Sequence, residues 1–435
     1  MGNFRLIRFI YNLFFPIVLL FLLPGFLHRM LKRGKYRHKF GQRFGFYSAR
    51  VREKILSREK WIWMHAVSVG EVLIALKLID QMKALDSDLS VVLSTTTSTG
   101  FALASEKRSE WLEAIYNPID FAWTVHRAVK LIRPVQLILV EAEVWPNLVY
   151  NVKARGATIA LVNARLSPRS ESRYKKLRWF VSGLFQQLDT ICVQEPEDIS
   201  RWQTLGVSSE KIHCFGSVKF DDSAQHSEIA KDFRPLLEAI GVSENDLILL
   251  GGSTHAGEEK ILARCYTQLR QSYPNLFFVL VPRHVERSKD ILETLEQQGL
   301  HVTLRSQVES PTHKPDILLV DTTGELRDWY RYATVVFVGK SLATTGGQNP
   351  AEAISAGKAV VFGPHMENFK LLVRGLLQKE GAVQIKDEAD LLNTLQDLLA
   401  NPARRKTLAI QGSSLLANHR GAAQRTAQLL SSIRK

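Results

Sequence analysis

The sequence predicts an α/β protein of two halves, each an open parallel sheet with helices on both faces. Three observations carry that prediction. Short apolar runs alternate with segments of helical spacing from residue 61 to about residue 390. The runs lack the apolar–polar alternation of a half-exposed strand, as expected where both faces are covered. The rhythm breaks once, in the polar stretch SVKFDDSAQHSEIAKDFRP, and then restarts. A chain of 435 residues also suits two cores better than one.

The chain opens on FIYNLFFPIVLLFLLPGFL, residues 9–27, interrupted by Pro16 and Pro24. Its length is close to the minimum for a membrane-spanning helix. Arg5 and Arg8 precede it, and Arg29, Lys32, Arg33, Lys35, Arg37, Lys39 and Arg43 follow. The stronger basic flank is C-terminal, which predicts an uncleaved anchor over residues 1–28 with the bulk of the chain in the cytoplasm. The first half, 29–222, has strand candidates at 61–67, 90–94, 136–140, 158–162 and 190–194. Val72, Leu76, Ile79 and Met82 show helical spacing between the first two. A linker is expected at 223–245. The second half, 246–435, has strand candidates at 246–251, 276–281, 316–320, 335–339 and 359–363, then a helical tail.

Composition narrows the chemistry. The three cysteines form no C-x-x-C pair, so neither a zinc site nor a redox couple is expected. A net charge of +14 calls for anionic partners. The basic-aromatic run NARLSPRSESRYKKLRWF, with Arg165 and Arg169, suits a phosphorylated head group or nucleic acid. The apolar N-terminus favours anionic lipid over nucleic acid.

In open parallel sheets ligands bind beyond the carboxyl ends of the strands, so the residues following each strand are the site candidates. WMHAVSVGE ends in Glu71, which reads either as a helix-start residue or as a general base. LILVEAEVWPN places Glu141 and Glu143 two residues apart, where like charges raise one another's pKa. In the second half GGSTHAGEE offers Ser253 or Thr254 as a helix cap, and His255. VPRH ends in Arg283 and His284, and the Arg283 fork of donors suits a phosphate. DTTGEL leaves Gly324 and a helix start at Glu325. GGQNPAEA places Gly346 and Gly347 before a helix expected to begin with Asn349 as cap and Pro350 in its first turn, with Glu352 following. A glycine-rich loop feeding a helix is an anion cradle. No D-x-D stands in a suitable loop, so no metal and no other cofactor is expected.

Taken in order, YRHKFGQRFGFY, HAVSVGE, EAEVWPNL, NARLSPRS, GSVKFD, STHAGEE, VPRHVER, DTTGELRDWY, GGQNPAEA and GPHMENF resemble the lipid A Kdo transferases. These enzymes add 3-deoxy-manno-octulosonic acid (Kdo) to a lipid A precursor. The resemblance spans almost the whole chain. It implies two facing Rossmann-like domains of the GT-B architecture and inverting transfer. It implies CMP-Kdo as donor, held by the second domain through Arg283, His284, the backbone near Gly324 and Glu325, Asn349 and Glu352. It implies a phosphorylated lipid A precursor as acceptor, Glu71 as base, and a second acidic site at Glu141 and Glu143. Two positions depart from the family pattern: Gln348 stands where the loop usually has histidine, and Lys340 where it usually has glycine. A nucleotide-sugar epimerase on the same scaffold and a non-catalytic polyanion binder are the rival readings.

Overall fold

The computed structural model describes residues 2–33, 39–166, 168–221, 231–308 and 314–434. They form two compact units, one of residues 1–224 with 419–435, the other of residues 225–418. Within the first, β1 (Trp61–His65), β2 (Val91–Thr95), β3 (Leu112–Tyr116), β4 (Pro134–Val140), β5 (Thr158–Ala164), β6 (Thr190–Val193) and β7 (Ile212–Cys214) build one sheet. Its order is β3-β2-β1-β4-β5-β6-β7, with every pair parallel. All residues of β1, β2, β3 and β5 are buried, including Trp61 and Trp63. Coverage on both faces explains why these strands read as continuous apolar runs.

The second sheet contains β8 (Leu247–Thr254), β9 (Leu276–Pro282), β10 (Val302–Leu304), β11 (Ile317–Leu319), β12 (Val335–Val338), β13 (Ala359–Phe362) and β14 (Val383–Gln384). Its order is β10-β11-β9-β8-β12-β13-β14, again all parallel. In each sheet the strand order reverses beside the first strand, between β1 and β4 and between β8 and β12. These are the topological switch points, where the first connecting loops diverge and leave a crevice.

Two expectations about the chain's ends change. Residues 419–435 were expected in the second half, but the helix Ala422–Ser432 packs on Val69–Leu85 of the first unit. Its small face, Ala422, Ala423 and Ala427, lies in the same apolar cluster as Val72 and Ile79. Asp221 accepts from the Gly421 and Ala423 amides at 2.9 and 2.7 Å and fixes the helix start. The linker expected at 223–245 lies outside the described residues up to 230. Beyond it, Arg234–Ala239 is already helical and belongs to the second unit.

The N-terminal helix runs unbroken over Gly2–Arg33, through both prolines. Each proline removes one backbone donor, and the helix continues past both. Phe4 and Ile7 are buried on the first unit, against Tyr150 and Gly183. Phe9, on the opposite side, is 68% exposed, and Phe21, further along the helix, is 80% exposed. The Phe4–Phe21 window is long and apolar enough to cross a membrane by length and composition, and 11% of it is buried. Of the basic run after it, Lys35 and Arg37 and the side chains of Arg29, Lys32 and Arg33 lie outside the described residues.

Candidate active site

The loop after β1 is held tightly before any chemistry is considered. The Val67 carbonyl accepts from the Thr95 and Thr97 hydroxyls, both at 3.1 Å, and from the Thr97 amide at 3.3 Å. Ser68 caps the helix Val69–Leu85, its hydroxyl oxygen accepting from the Glu71 amide. Glu71 folds back over the same turn. One carboxylate oxygen accepts from the Ser68 hydroxyl at 2.8 Å and the other from the Val67 amide at 2.9 Å. Ser68-Val-Gly-Glu71 is thus a variant of the capping box. Glu71 is 9% exposed, with each oxygen keeping a further lone pair.

The switch point brings the other predicted acids into its field. Burial pushes the Glu141 carboxyl above its ordinary value, the Glu71 charge adds to the rise, and Arg165 and Lys219 oppose it. Glu143 is raised in the same way, by burial, then by Glu71, and also by Glu141; the Trp145 indole N–H opposes by donating to it at 2.9 Å. Glu141 itself has φ +64°, a left-handed backbone that a non-glycine residue adopts at a cost of order 1 kcal/mol. Lys219 is held below its ordinary value by desolvation and by Arg165, against Glu141. Three acids and two cations therefore share the carboxyl edge of this sheet. Arg165 is exposed. The side chain of Arg169 lies outside the described residues. Sequence reasoning assigned no role to Lys219 or Trp145, although both lie in quoted motifs, GSVKFD and EAEVWPNL.

The second unit has the same layout with different occupants. Glu258, fully buried, gathers four backbone amides: His255 at 2.9 Å and Lys340 at 2.7 Å on one oxygen, Ser341 and Leu342 at 2.9 Å on the other. It ties the loop after β8 to the loop after β12 across the switch point. Glu258, Lys340, His284 and Arg287 stand around His255. The His255 and His284 rings meet edge-on at 5.5 Å. Partial burial lowers the His255 pKa; Glu258 opposes, while Lys340, His284 and Arg287 lower it further. Arg283 and His284 are exposed after β9, as a phosphate contact requires. Both departures from the family pattern meet here. The Gln348 side-chain nitrogen lies 3.2 Å from His255 Nε2. Lys340 has φ +57°, a backbone conformation that suits glycine.

Several local expectations are corrected. Ser253 and Thr254 do not cap a helix: both lie in β8, and the helix Glu258–Ser272 starts after Gly257 without a side-chain cap. The helix after the glycine loop begins at Ala351, not Pro350, and Asn349 accepts from the Ala351 amide at 3.1 Å. The Gly346 and Gly347 amides are already bound, by Glu367 at 2.6 Å and the Lys340 carbonyl at 2.9 Å. Those two donors are not free to cradle an anion. The Glu325 carboxylate is likewise engaged, with Thr322 at 2.6 Å, Lys231 at 3.0 Å and Arg305 at 3.4 Å. Burial pushes Glu325 up, and these partners bring it below its ordinary value. Gly324, at φ +82°, has open space beside it. The Glu352 charge reaches the buried Tyr330. Among the described residues no group of three or more His, Cys, Asp or Glu is arranged to hold a metal ion.

A family profile described as 3-deoxy-D-manno-octulosonic-acid transferase (kdotransferase) matches residues 38–222. A 3-deoxy-D-manno-octulosonic acid transferase of Haemophilus influenzae is 32% identical over 95% of this chain and 95% of its own length. The chain belongs to the Kdo transferase family. It is a glycosyltransferase of lipopolysaccharide biosynthesis. The Kdo transferase of Bordetella pertussis is 33% identical over 89% of this chain and 90% of its own. Among solved structures, a putative UDP-N-acetylglucosamine 2-epimerase from Listeria monocytogenes aligns with a TM-score of 0.53 and 12% identity, over 86% of this chain and 96% of that one. At that identity the likeness speaks to the two-sheet fold alone, so the epimerase reading gains nothing from it. In a Kdo transferase the acidic strand ends of the first unit and the cationic strand ends of the second are each candidates for substrate contact.

Proposed function

We propose that this Kdo transferase moves Kdo from CMP-Kdo to a phosphorylated lipid A precursor of the lipid IVA type, with inversion and with Glu71 as general base. The observation that carries this reading is the placement of Glu71. It stands at the switch point of the first sheet, oriented through both carboxylate oxygens and electrostatically coupled to Glu141 and Glu143. Glu71 takes the proton of an acceptor sugar hydroxyl as that oxygen attacks the anomeric carbon of Kdo. The bond from that carbon to the CMP oxygen breaks, and the phosphate leaves with its negative charge. Arg283, His284 and the cationic surroundings of His255 stabilise that charge, with no metal or other cofactor. Arg165 and Lys219 suit the phosphates of the acceptor.

The N-terminal helix supports membrane attachment. Its outward face is apolar, and exposed Trp179 and the basic residues Arg173, Lys175 and Lys176 belong to the same unit. This composition suits anionic lipid at the cytoplasmic face of the inner membrane. The test is CMP release from CMP-Kdo with and without lipid acceptor, followed by the anomeric configuration of the product. Acceptor-dependent release with inverted configuration supports the proposal. Release that ignores the acceptor contradicts it.

A further inference from the structure

The N-terminal helix does more than present an apolar face. Its inward side is polar where it meets the start of the helix Pro146–Lys153. Arg8 Nε donates to Asn147 Oδ1 at 2.8 Å, and Asn147 Nδ2 donates to Asn12 Oδ1 at 2.7 Å. Asn147 is fully buried. Its side-chain nitrogen also donates to the Asp120 carbonyl at 2.7 Å. The Asp120 carboxylate accepts from the Asn147 and Leu148 amides, both at 2.9 Å. The Arg8 guanidinium lies over the Tyr150 ring at 3.7 Å. One turn further along, Phe15 meets Phe121 edge-on at 5.4 Å and Trp145 at 6.4 Å. An apolar helix whose only task was to dip into lipid would not need Arg8 and Asn12 on its buried side.

The attachment point matters. Trp145 and Asn147 lie two and four residues after Glu143, and the Trp145 indole N–H donates to the Glu143 carboxylate at 2.9 Å. We propose that Trp145 is a positioning residue for Glu143, and that the N-terminal helix holds Trp145 in place through Phe15 and the Arg8–Asn12–Asn147 hydrogen bonds. Membrane attachment and active-site geometry are then coupled through one short path. The inference rests on the reading of Glu143 as part of the acceptor-side acidic site.

Full-length Trp145→Phe, Asn12→Leu and Glu143→Gln enzymes, in detergent with dispersed acceptor, test it. Trp145→Phe keeps a ring against Phe15 and removes the indole donor. Its kcat should fall ~10-fold with the KM for CMP-Kdo unchanged, since a slightly misplaced group costs turnover rather than donor binding. With turnover requiring an ionised Glu143, the acid limb of its pH–rate profile should move to higher pH, because the lost hydrogen bond favoured the ionised carboxylate. Among the described residues the other titratable groups coupled to Glu143 are Glu71, Glu141 and Tyr174, which remain. Asn12→Leu, far from the chemistry, should move the same limb in the same direction by less. Wild-type kcat and pH profile in Trp145→Phe, with Glu143→Gln inactive, would overturn the coupling while leaving the acidic site standing. Full activity in Glu143→Gln would overturn it by removing its premise.

Discussion

Glu71 and Glu258 occupy the same place in two copies of one architecture. Each follows the first strand of its sheet, each is preceded by glycine, and each folds back onto its own loop. Glu258 satisfies four amides from two loops and is fully buried. Among the described residues Glu71 accepts two hydrogen bonds, both from its own turn, and it retains some exposure. The difference separates structure from chemistry. A carboxylate whose lone pairs are all taken is a clasp. One that is oriented but has lone pairs left can accept a proton.

Breaking the clasp should have the largest effect on stability. Glu258→Gln places an NH2 group against backbone donors, and folding stability should fall by roughly 2–4 kcal/mol, read from denaturant unfolding. The partner loop gives a finer test. Lys340 presents its amide to Glu258 from a left-handed backbone, so Lys340→Gly should be more stable than Lys340→Ala by about 1 kcal/mol. Both variants remove a positive charge from His255 and should raise its titration midpoint, followed by NMR.

Asp120 sharpens the same contrast, because it is buried like Glu258 but accepts from two backbone amides among the described residues. Burial dominates there and raises its carboxyl to about 7 despite the Asn147 and Leu148 amides and the nearby Tyr11 and Arg8. Between the unfolded value near 4 and the folded value near 7, the native state holds a proton that the unfolded chain has lost. Stability contributed at this site therefore declines as pH rises through that window, by at most about 1.4 kcal/mol per pH unit. Asp120→Asn should flatten that part of the stability–pH curve. An unchanged slope would mean that Asp120 ionises freely in the folded protein.

The strands legible in the sequence were the interior ones. The four that it did not reveal, β3, β7, β10 and β14, are the four sheet edges. Three of them have three residues or fewer, and β3 carries Glu113 as its second residue. An edge strand needs neither length nor two apolar faces, so it leaves no apolar run to read. The return of the last helix to the first unit was hidden for another reason. Its packing face is alanine, which marks close approach without naming a partner. The acids Glu71, Glu141 and Glu143 were legible because they interrupt apolar strands at their carboxyl ends. Trp145, Lys219 and Glu258 were not, because their roles depend on neighbours distant in sequence or on backbone amides. The recurring Gly-Glu after strands β1, β8 and β11 was the available signal, visible as SVGE, HAGE and TTGE.

Of the two glutamates, Glu71 is the proposed chemical member. The direct measurement is single-turnover CMP release by Glu71→Gln in the presence of acceptor, at a temperature where its unfolding curve matches the wild type. The predicted result is a native fold with transfer slowed ~10³-fold, the range expected for loss of a general base. Near wild-type release from a folded Glu71→Gln enzyme would contradict the account and make Glu71 a helix cap alone.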